Sequence, residues 1–153
     1  MIASLQKLSL IDYPGKVSCV VFTQGCNMMC DYCHNPDLIP TLDGKYSWGW
    51  VKEFLVSRAG KLQAIVFSGG EPTLHYDKLL VWVRECREMN LYVGLHTNGT
   101  WLTPELSMLC DYILLSHYTD RKIAIAKKTS GNVDLSKVIK EGDEWVNKIE
   151  RVQ

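Results

Sequence analysis

Three cysteines, Cys26, Cys30 and Cys33, fall in one short stretch with the spacing CxxxCxxC, directly after an apolar, β-branched run from Lys16 to Thr23 (KVSCVVFT). The run reads as a buried strand. The cysteines must then sit on a loop at the strand's C-terminal end, the edge at which parallel α/β sheets bind ligands. Thiolates this close repel one another unless they are oxidised or bound to a cation. A disulfide uses two and leaves one over. A tetrahedral structural zinc ion needs four ligands, with His34 the nearest candidate for the fourth. A cubane 4Fe-4S cluster is a further solution: three cysteines hold three irons, and the fourth iron stays open to an exogenous ligand.

The remaining chain repeats the theme of an apolar run ending in a tight polar turn. Ala64 to Phe67 (AIVF) runs into Ser68-Gly69-Gly70-Glu71-Pro72-Thr73, and Leu91 to Leu95 into His96-Thr97-Asn98-Gly99-Thr100. Tyr112 to Leu115 (YILL) is a fourth strand, and Ile123 to Ala126 a weaker fifth. Ahead of them, Ser4 to Leu10 is a short extended segment, and Asp12-Tyr13-Pro14-Gly15 is a turn that permits a hairpin with the first buried strand. Helices separate the strands. Ser47 caps one whose residues Trp50, Val51, Phe54 and Leu55 recur at helical spacing through Ala59, with Gly60 as its stop. Asp77 to Met89 carries Leu79, Leu80, Val83 and Cys86 on one side. Thr103-Pro104 opens a short third helix. Thr129 to Asn132 reads as a polar turn, and Leu135 to Val152 as a polar C-terminal helix interrupted by Gly142. The alternation predicts an α/β fold with right-handed crossovers and a parallel sheet, in a single domain over residues 1–153.

Charge and hydropathy narrow the partners. Lysine plus arginine and aspartate plus glutamate number 17 each, so no net charge steers the chain towards nucleic acid or an anionic membrane. No apolar run approaches the roughly 20 residues that span a bilayer. The first ten residues lack a continuous apolar core and a cleavage site, so no signal peptide is expected. Six cysteines without an export signal fit a reducing cytoplasm, where thiols serve metals more often than disulfides. Cys19, Cys86 and Cys110 are expected to be small buried hydrophobes.

On these residues the chain resembles a known family. The CxxxCx(aromatic)C pattern is similar to the signature of the radical S-adenosylmethionine (SAM) enzymes. Ser9 to Val17, Val20 to Asn27 and Tyr32-Cys33-His34-Asn35-Pro36 resemble the N-terminal region of glycyl-radical-enzyme activases. The resemblance is strongest to activators of anaerobic ribonucleoside-triphosphate reductase, with pyruvate formate-lyase activase as a cousin; it is dense from about Ser9 to Gly99 and poor after about Asp111. It implies a compact, half-open β/α barrel of radical SAM type. It also implies a 4Fe-4S cluster on Cys26, Cys30 and Cys33, and S-adenosyl-L-methionine chelated at the open iron. Backbone near Tyr32 would meet adenine, His34 would act as a hydrogen-bonder behind the ligands, and Gly69, Gly70 and Glu71 would bind the methionine amino group. Thr97 and Asn98 match the family's Thr-Asn-Gly. The implied reaction is one-electron cleavage of the sulfonium to a 5′-deoxyadenosyl radical, which takes hydrogen from a glycine of a partner glycyl-radical enzyme. A flavodoxin- or ferredoxin-type donor would supply the electron.

Two departures stand out. The pyruvate formate-lyase activase branch has an aspartate before Thr-Asn-Gly and an Asp-x-Lys after the fourth strand, and these acids help hold a monovalent cation. Here the positions are His96, Ser116 and Tyr118. A protonated His96 is one expected substitute for the cation's charge. The C-terminal region is also shorter than in that branch, as in the compact reductase activators. Alongside the activase, a radical enzyme acting on a small molecule or peptide, and a non-catalytic metal-binding module, stay open.

Overall fold

The computed structural model describes residues 1–30, 33–119 and 122–128, with 116–119 and 122–128 described by backbone alone. The expected turn at 129–132 and helix at 135–152 lie outside the described residues, as does Tyr32.

One six-stranded sheet runs through the described chain in the order β1-β2-β3-β4-β5-β6. The strands are β1 (Ile2–Ser9), β2 (Ser18–Thr23), β3 (Ala64–Gly69), β4 (Tyr92–Thr97), β5 (Tyr112–Thr119) and β6 (Lys122–Lys128). Strands β2 to β5 pair in parallel. Both edges are antiparallel: β1 forms the expected hairpin with β2, and β6 turns back along β5. The sheet is therefore mixed rather than purely parallel, and the segment read as a fifth strand is the sixth. The connections β2–β3, β3–β4 and β4–β5 carry α1 (Trp48–Ser57), α2 (Tyr76–Glu88) and α3 (Pro104–Leu109).

Local chemistry sets the helix starts. The Ser47 side chain accepts from the Trp50 amide, and the Thr103 side chain accepts from the Leu106 amide, each satisfying a donor that the first turn leaves orphaned. Pro104 follows that cap, where its missing N–H is harmless. On α2 the residues facing inward are Leu79, Trp82, Val83 and Cys86, with Leu80 only half-buried. Trp82 takes the place expected of Leu80 because its ring stacks on Trp48 (5.2 Å between centroids) and on Phe67 (6.2 Å).

The two faces of the sheet are covered very differently. Cys19, Val21, Ile65, Phe67, Val93, Leu95, Ile113 and Leu115 alternate along the strands onto the face covered by the helices and form the main core with Leu55, Leu79, Val83 and Leu106. Cys19, Cys86 and Cys110 are buried thiols outside any disulfide, as expected of small hydrophobes. The opposite face carries a smaller cluster, Val20, Ala64, Val66 and Tyr112, closed by Tyr13 from the β1–β2 turn. The Tyr13 ring lies 5.4 Å from that of Tyr112 and 6.2 Å from that of Tyr92. Gly94 makes room for it, since a Cβ there would stand 3.1 Å from the Tyr13 ring. The turn covers the N-terminal part of this concave face, while Phe22, Ser68, His96 and Leu114, nearer the C-terminal strand ends, are only partly buried. This one-sided cover is what makes the barrel half-open.

Phe67 is fully buried against the stacked indoles of Trp48 and Trp82. Phe67→Ala is expected to lower unfolding free energy by about 3–5 kcal/mol in a urea titration; a loss below about 1 kcal/mol would contradict the packing described.

Candidate functional site

The C-terminal ends of β2, β3 and β4 each lead into one of the motifs singled out from the sequence, and β5 adds a side chain from the concave face. Between them lies a cavity of about 240 Å³, close to the ~300 Å³ lower end of small-molecule pockets. The loop after β2 contributes Cys26, Met28, Cys30, Cys33, His34 and Asn35; β3 and its turn contribute Ser68, Gly69 and Gly70; β4 contributes His96, Thr97 and Asn98; β5 contributes Leu114. All three motif cysteines, separated from the Gly-Gly turn by some forty residues of chain, thus line one space with it. Ser68 and Leu114 were not singled out from the sequence, though both share the strand parity that puts His96 on the concave face.

The cysteine loop is closed at its base by backbone pairing. The Gly25 amide donates to the Leu38 carbonyl (2.8 Å), and the Cys26 amide to the Ile39 carbonyl (3.0 Å). Buried Gln24 reinforces the neck by donating to the carbonyls of Asp37 and Pro40. Within the loop the Met28 amide donates to the Cys26 sulfur (3.5 Å), and the Cys33 amide to the Cys30 carbonyl (3.1 Å). Burial pushes the Cys26 thiol up; the Met28 hydrogen bond opposes that, and the charges of Glu71, Cys30 and Cys33 add to the rise. Among the described residues no three His, Cys, Asp or Glu side chains converge on a point that a single ion could occupy. All three cysteines nonetheless line the same cavity.

The Gly-Gly turn is built for close approach to the cysteine loop. A Cβ on Gly70 would stand 2.1 Å from the Gly25 carbonyl oxygen, and one on Gly69, at φ +123°, would stand 2.3 Å from the Thr23 nitrogen. No side chain fits at either position. The Glu71 amide donates to the Gly25 carbonyl (2.8 Å), which ties turn to loop.

Glu71 itself departs from expectation. Its side chain is 1% exposed and does not line the cavity. Its Oε1 accepts from the Thr73 amide (3.0 Å), the Thr73 hydroxyl (2.6 Å) and the Thr97 hydroxyl (2.6 Å), and its Oε2 from the Asn98 amide (2.7 Å). Burial pushes this carboxyl up, against the four hydrogen bonds that hold it down. The carboxylate that was expected to meet an ammonium group is thus taken up by four donors from the turns after β3 and β4. What the sequence did not reveal is the strap that follows. Asn98 Nδ2 donates to Asn27 Oδ1 (2.8 Å), Asn27 Nδ2 donates to the Thr100 hydroxyl (3.1 Å), and the Thr100 amide and hydroxyl donate to Asn98 Oδ1. Asn27 follows Cys26 directly, so this polar strap joins the cysteine loop to the turn after β4.

His96 also differs from expectation. Its Nε2 donates to the Asp12 carbonyl (3.2 Å), and its ring stands edge-on to Tyr112. Burial holds its pKa below 6.5, only partly offset by the Asp12 backbone and charge. The burial that lowers its pKa works against the positive charge expected of a cation substitute at this position. The Ser116 backbone lies in β5 opposite Ile125, and its side chain falls outside the described residues.

Comparison with known proteins agrees with this geometry. A protein of Methanocaldococcus jannaschii, named provisionally as a glycyl-radical enzyme activating enzyme, is 37% identical over 75% of this chain and 49% of its own length. The pyruvate formate-lyase-activating enzyme of Clostridium pasteurianum is 34% identical over 64% of this chain and 43% of its own. The pyruvate formate-lyase 1-activating enzyme of Escherichia coli K12 is 34% identical over 64% and 42%. The chain thus spans less than half the length of these curated relatives. QueE from Escherichia coli shares the fold at a TM-score of 0.59 and 17% identity, over 78% of this chain and 60% of that one. The model of the radical SAM superfamily matches residues 20–119. That stretch runs from within β2 to the end of β5 and carries every wall of the cavity, and by it this chain belongs to the radical SAM superfamily.

Proposed function

We propose that Cys26, Cys30 and Cys33 hold a 4Fe-4S cluster, that the adjoining cavity takes S-adenosyl-L-methionine, and that the protein is an oxidoreductase activating a glycyl-radical enzyme. The observation that carries this reading is the convergence of three free thiols and two side-chain-free glycines on one cavity at the strand ends. Thiolates are the soft ligands that iron–sulfur clusters take. When bound, the cluster supplies the electron that cleaves the sulfonium S–C5′ bond.

The chain's own residues do the positioning. Gly69 and Gly70 leave backbone bare at the cavity wall, where the polar methionine end of the ligand can approach closely. Thr97 and Asn98 bring polar groups to the same wall. His34, next to Cys33, is suited to orienting the cluster from behind its ligands. Neutral His96 and Leu114 line the side that opens onto the concave face, where a partner's backbone can enter. Tyr32 and Ser116 belong to the proposed cofactor set on family resemblance alone. The names of the relatives support a glycyl-radical enzyme as partner. Anaerobic ribonucleoside-triphosphate reductase is the partner we favour, on the motif resemblance from Ser9 to Gly99, with a flavodoxin- or ferredoxin-type donor. The single sheet through the described residues supports one radical SAM domain, and six cysteines outside any disulfide support a reducing cytoplasm.

Anaerobically reconstituted protein, reduced and mixed with the candidate reductase and S-adenosylmethionine, is expected to give 5′-deoxyadenosine and a glycyl doublet in electron paramagnetic resonance. Serine at Cys26, Cys30 or Cys33 is expected to abolish both. Material that carries only zinc, or that binds iron without cleaving the nucleotide, would sink the proposal.

The state of His96 is separately measurable. Its neutral form is favoured in the fold, so as pH falls below about 6.5 the unfolded chain takes up the proton first and stability is lost. The His96 ring resonances are expected to titrate with a midpoint below 6.5, and His96→Gln to flatten the loss of stability between pH 7 and 5. A midpoint above 7 would restore the cation-substitute idea.

A further inference from the structure

We propose that Glu71 is a positioning residue that never touches the ligand: from behind the cavity wall it fixes the Thr97–Asn98 turn and, through Asn98, the Asn27 end of the cysteine loop. The inference rests on the reading that the cavity takes S-adenosylmethionine and adds which residue holds its walls in register.

Three observations carry it. First, direction: the carboxylate is 1% exposed, absent from the cavity lining, and receives two backbone amides and two hydroxyls. A carboxylate that accepts four hydrogen bonds has little capacity left for an ammonium group on the far side of the Gly-Gly backbone. Second, connectivity: two of its donors, the Thr97 hydroxyl and the Asn98 amide, belong to residues that do line the cavity. Asn98 in turn donates to Asn27, and Asn27 to Thr100. One buried group thus links the turn after β3, the turn after β4 and the cysteine loop. Third, charge: none of the ion pairs among the described residues involves Glu71. A buried carboxylate in that situation is held by its hydrogen-bond donors, so the donors are drawn tightly into place around it. Gln at this position has nearly the same shape, but its NH2 group faces donors where an acceptor stood.

The test is a double-mutant cycle on the reconstituted protein, with binding read by calorimetry. The ligands are S-adenosylmethionine and its analogue lacking the α-amino group; the variants are Glu71→Gln, Thr97→Val and the pair. Glu71→Gln is expected to weaken both ligands by a similar factor, on the order of tenfold. The double variant is expected to be no more than about twofold weaker than the worse single one, because both changes break the same linkage. Weakening confined to the amino-bearing ligand, or fully additive losses, would overturn the inference in favour of direct contact. A second arm needs no ligand. In the metal-free chain, Glu71→Gln is expected to reduce amide-exchange protection at Asn98 and Thr73 and to shift the Asn27 side-chain amide resonances, while the central β3 amides stay protected. An unmoved Asn27 would overturn it too. Should Glu71→Gln fail to fold, Thr97→Val alone carries the same comparison. If the unmodified protein binds neither ligand, the proposed function fails, and the exchange arm still decides whether Glu71 sets the register of the loops.

Discussion

The site depends on a contact between two pieces of backbone. The Gly25 carbonyl accepts from the Glu71 amide and stands where any side chain on Gly70 would have to be. Through it the loop leaving β2 rests on the turn leaving β3. Parallel pairing of β2 with β3 brings the two strand ends level, with Thr23 opposite Gly69. The glycines then let the departing chains cross without a gap. Since Gly25 and Cys26 also pair with Leu38 and Ile39, the eleven-residue excursion between them begins and ends at a fixed place. The cysteines are thereby presented by a loop whose neck is closed by two backbone hydrogen bonds, a fixed base from which thiols can be held for a cofactor.

Above the apolar core the chemistry changes to a layer of buried, mutually satisfied polar groups. His75 donates to the Gln24 carbonyl (2.7 Å), Gln24 to Asp37 and Pro40, and Glu71 gathers Thr73, Thr97 and Asn98. Among the described residues no buried side-chain nitrogen or oxygen lacks a partner. Apolar packing is non-directional and tolerates small shifts, whereas a filled hydrogen-bond network admits few geometries. The helical side of the sheet supplies stability through Phe67, Leu79 and Val83; the polar layer at the strand ends supplies orientation.

What the sequence revealed and what it hid follow the same division. The strands were legible because KVSCVVFT, AIVF and YILL are apolar and β-branched, and the helix starts because Ser47 and Thr103 are caps whose partners lie three residues on. The motif loops were legible because their residue types are rare together. Hidden was anything set by a neighbour distant in sequence. Glu71 was read as a ligand because a carboxylate beside glycines can face a cation; it faces the other way because Thr97 and Asn98, on the next strand, supply donors. His96 was read as chargeable because an acid stands there in related chains. Burial beside the Tyr112 ring of β5 favours the neutral form, against the Asp12 carbonyl and charge, which favour the protonated one. Trp82 outranked Leu80 for the same kind of reason, its stacking partners being on α1 and β3.

This division also explains why the cofactor site is far better defined than the substrate. Every cavity wall falls between Cys26 and Leu114, inside the matched family region at 20–119. These walls are mutually bonded, so the pocket is specified by parts that the sequence itself contains. On the proposed function the substrate approaches from the concave side, where Tyr13 covers the N-terminal portion of the face and Ser68, His96 and Leu114 are left partly open. An opening constrains its occupant only by size and polarity, and the relatives are more than twice as long as the region they share with this chain. On that proposal, selectivity for one partner comes from surfaces flanking the opening. The same cofactor-binding frame can then serve different substrates without any change to the residues that hold the radical chemistry in place.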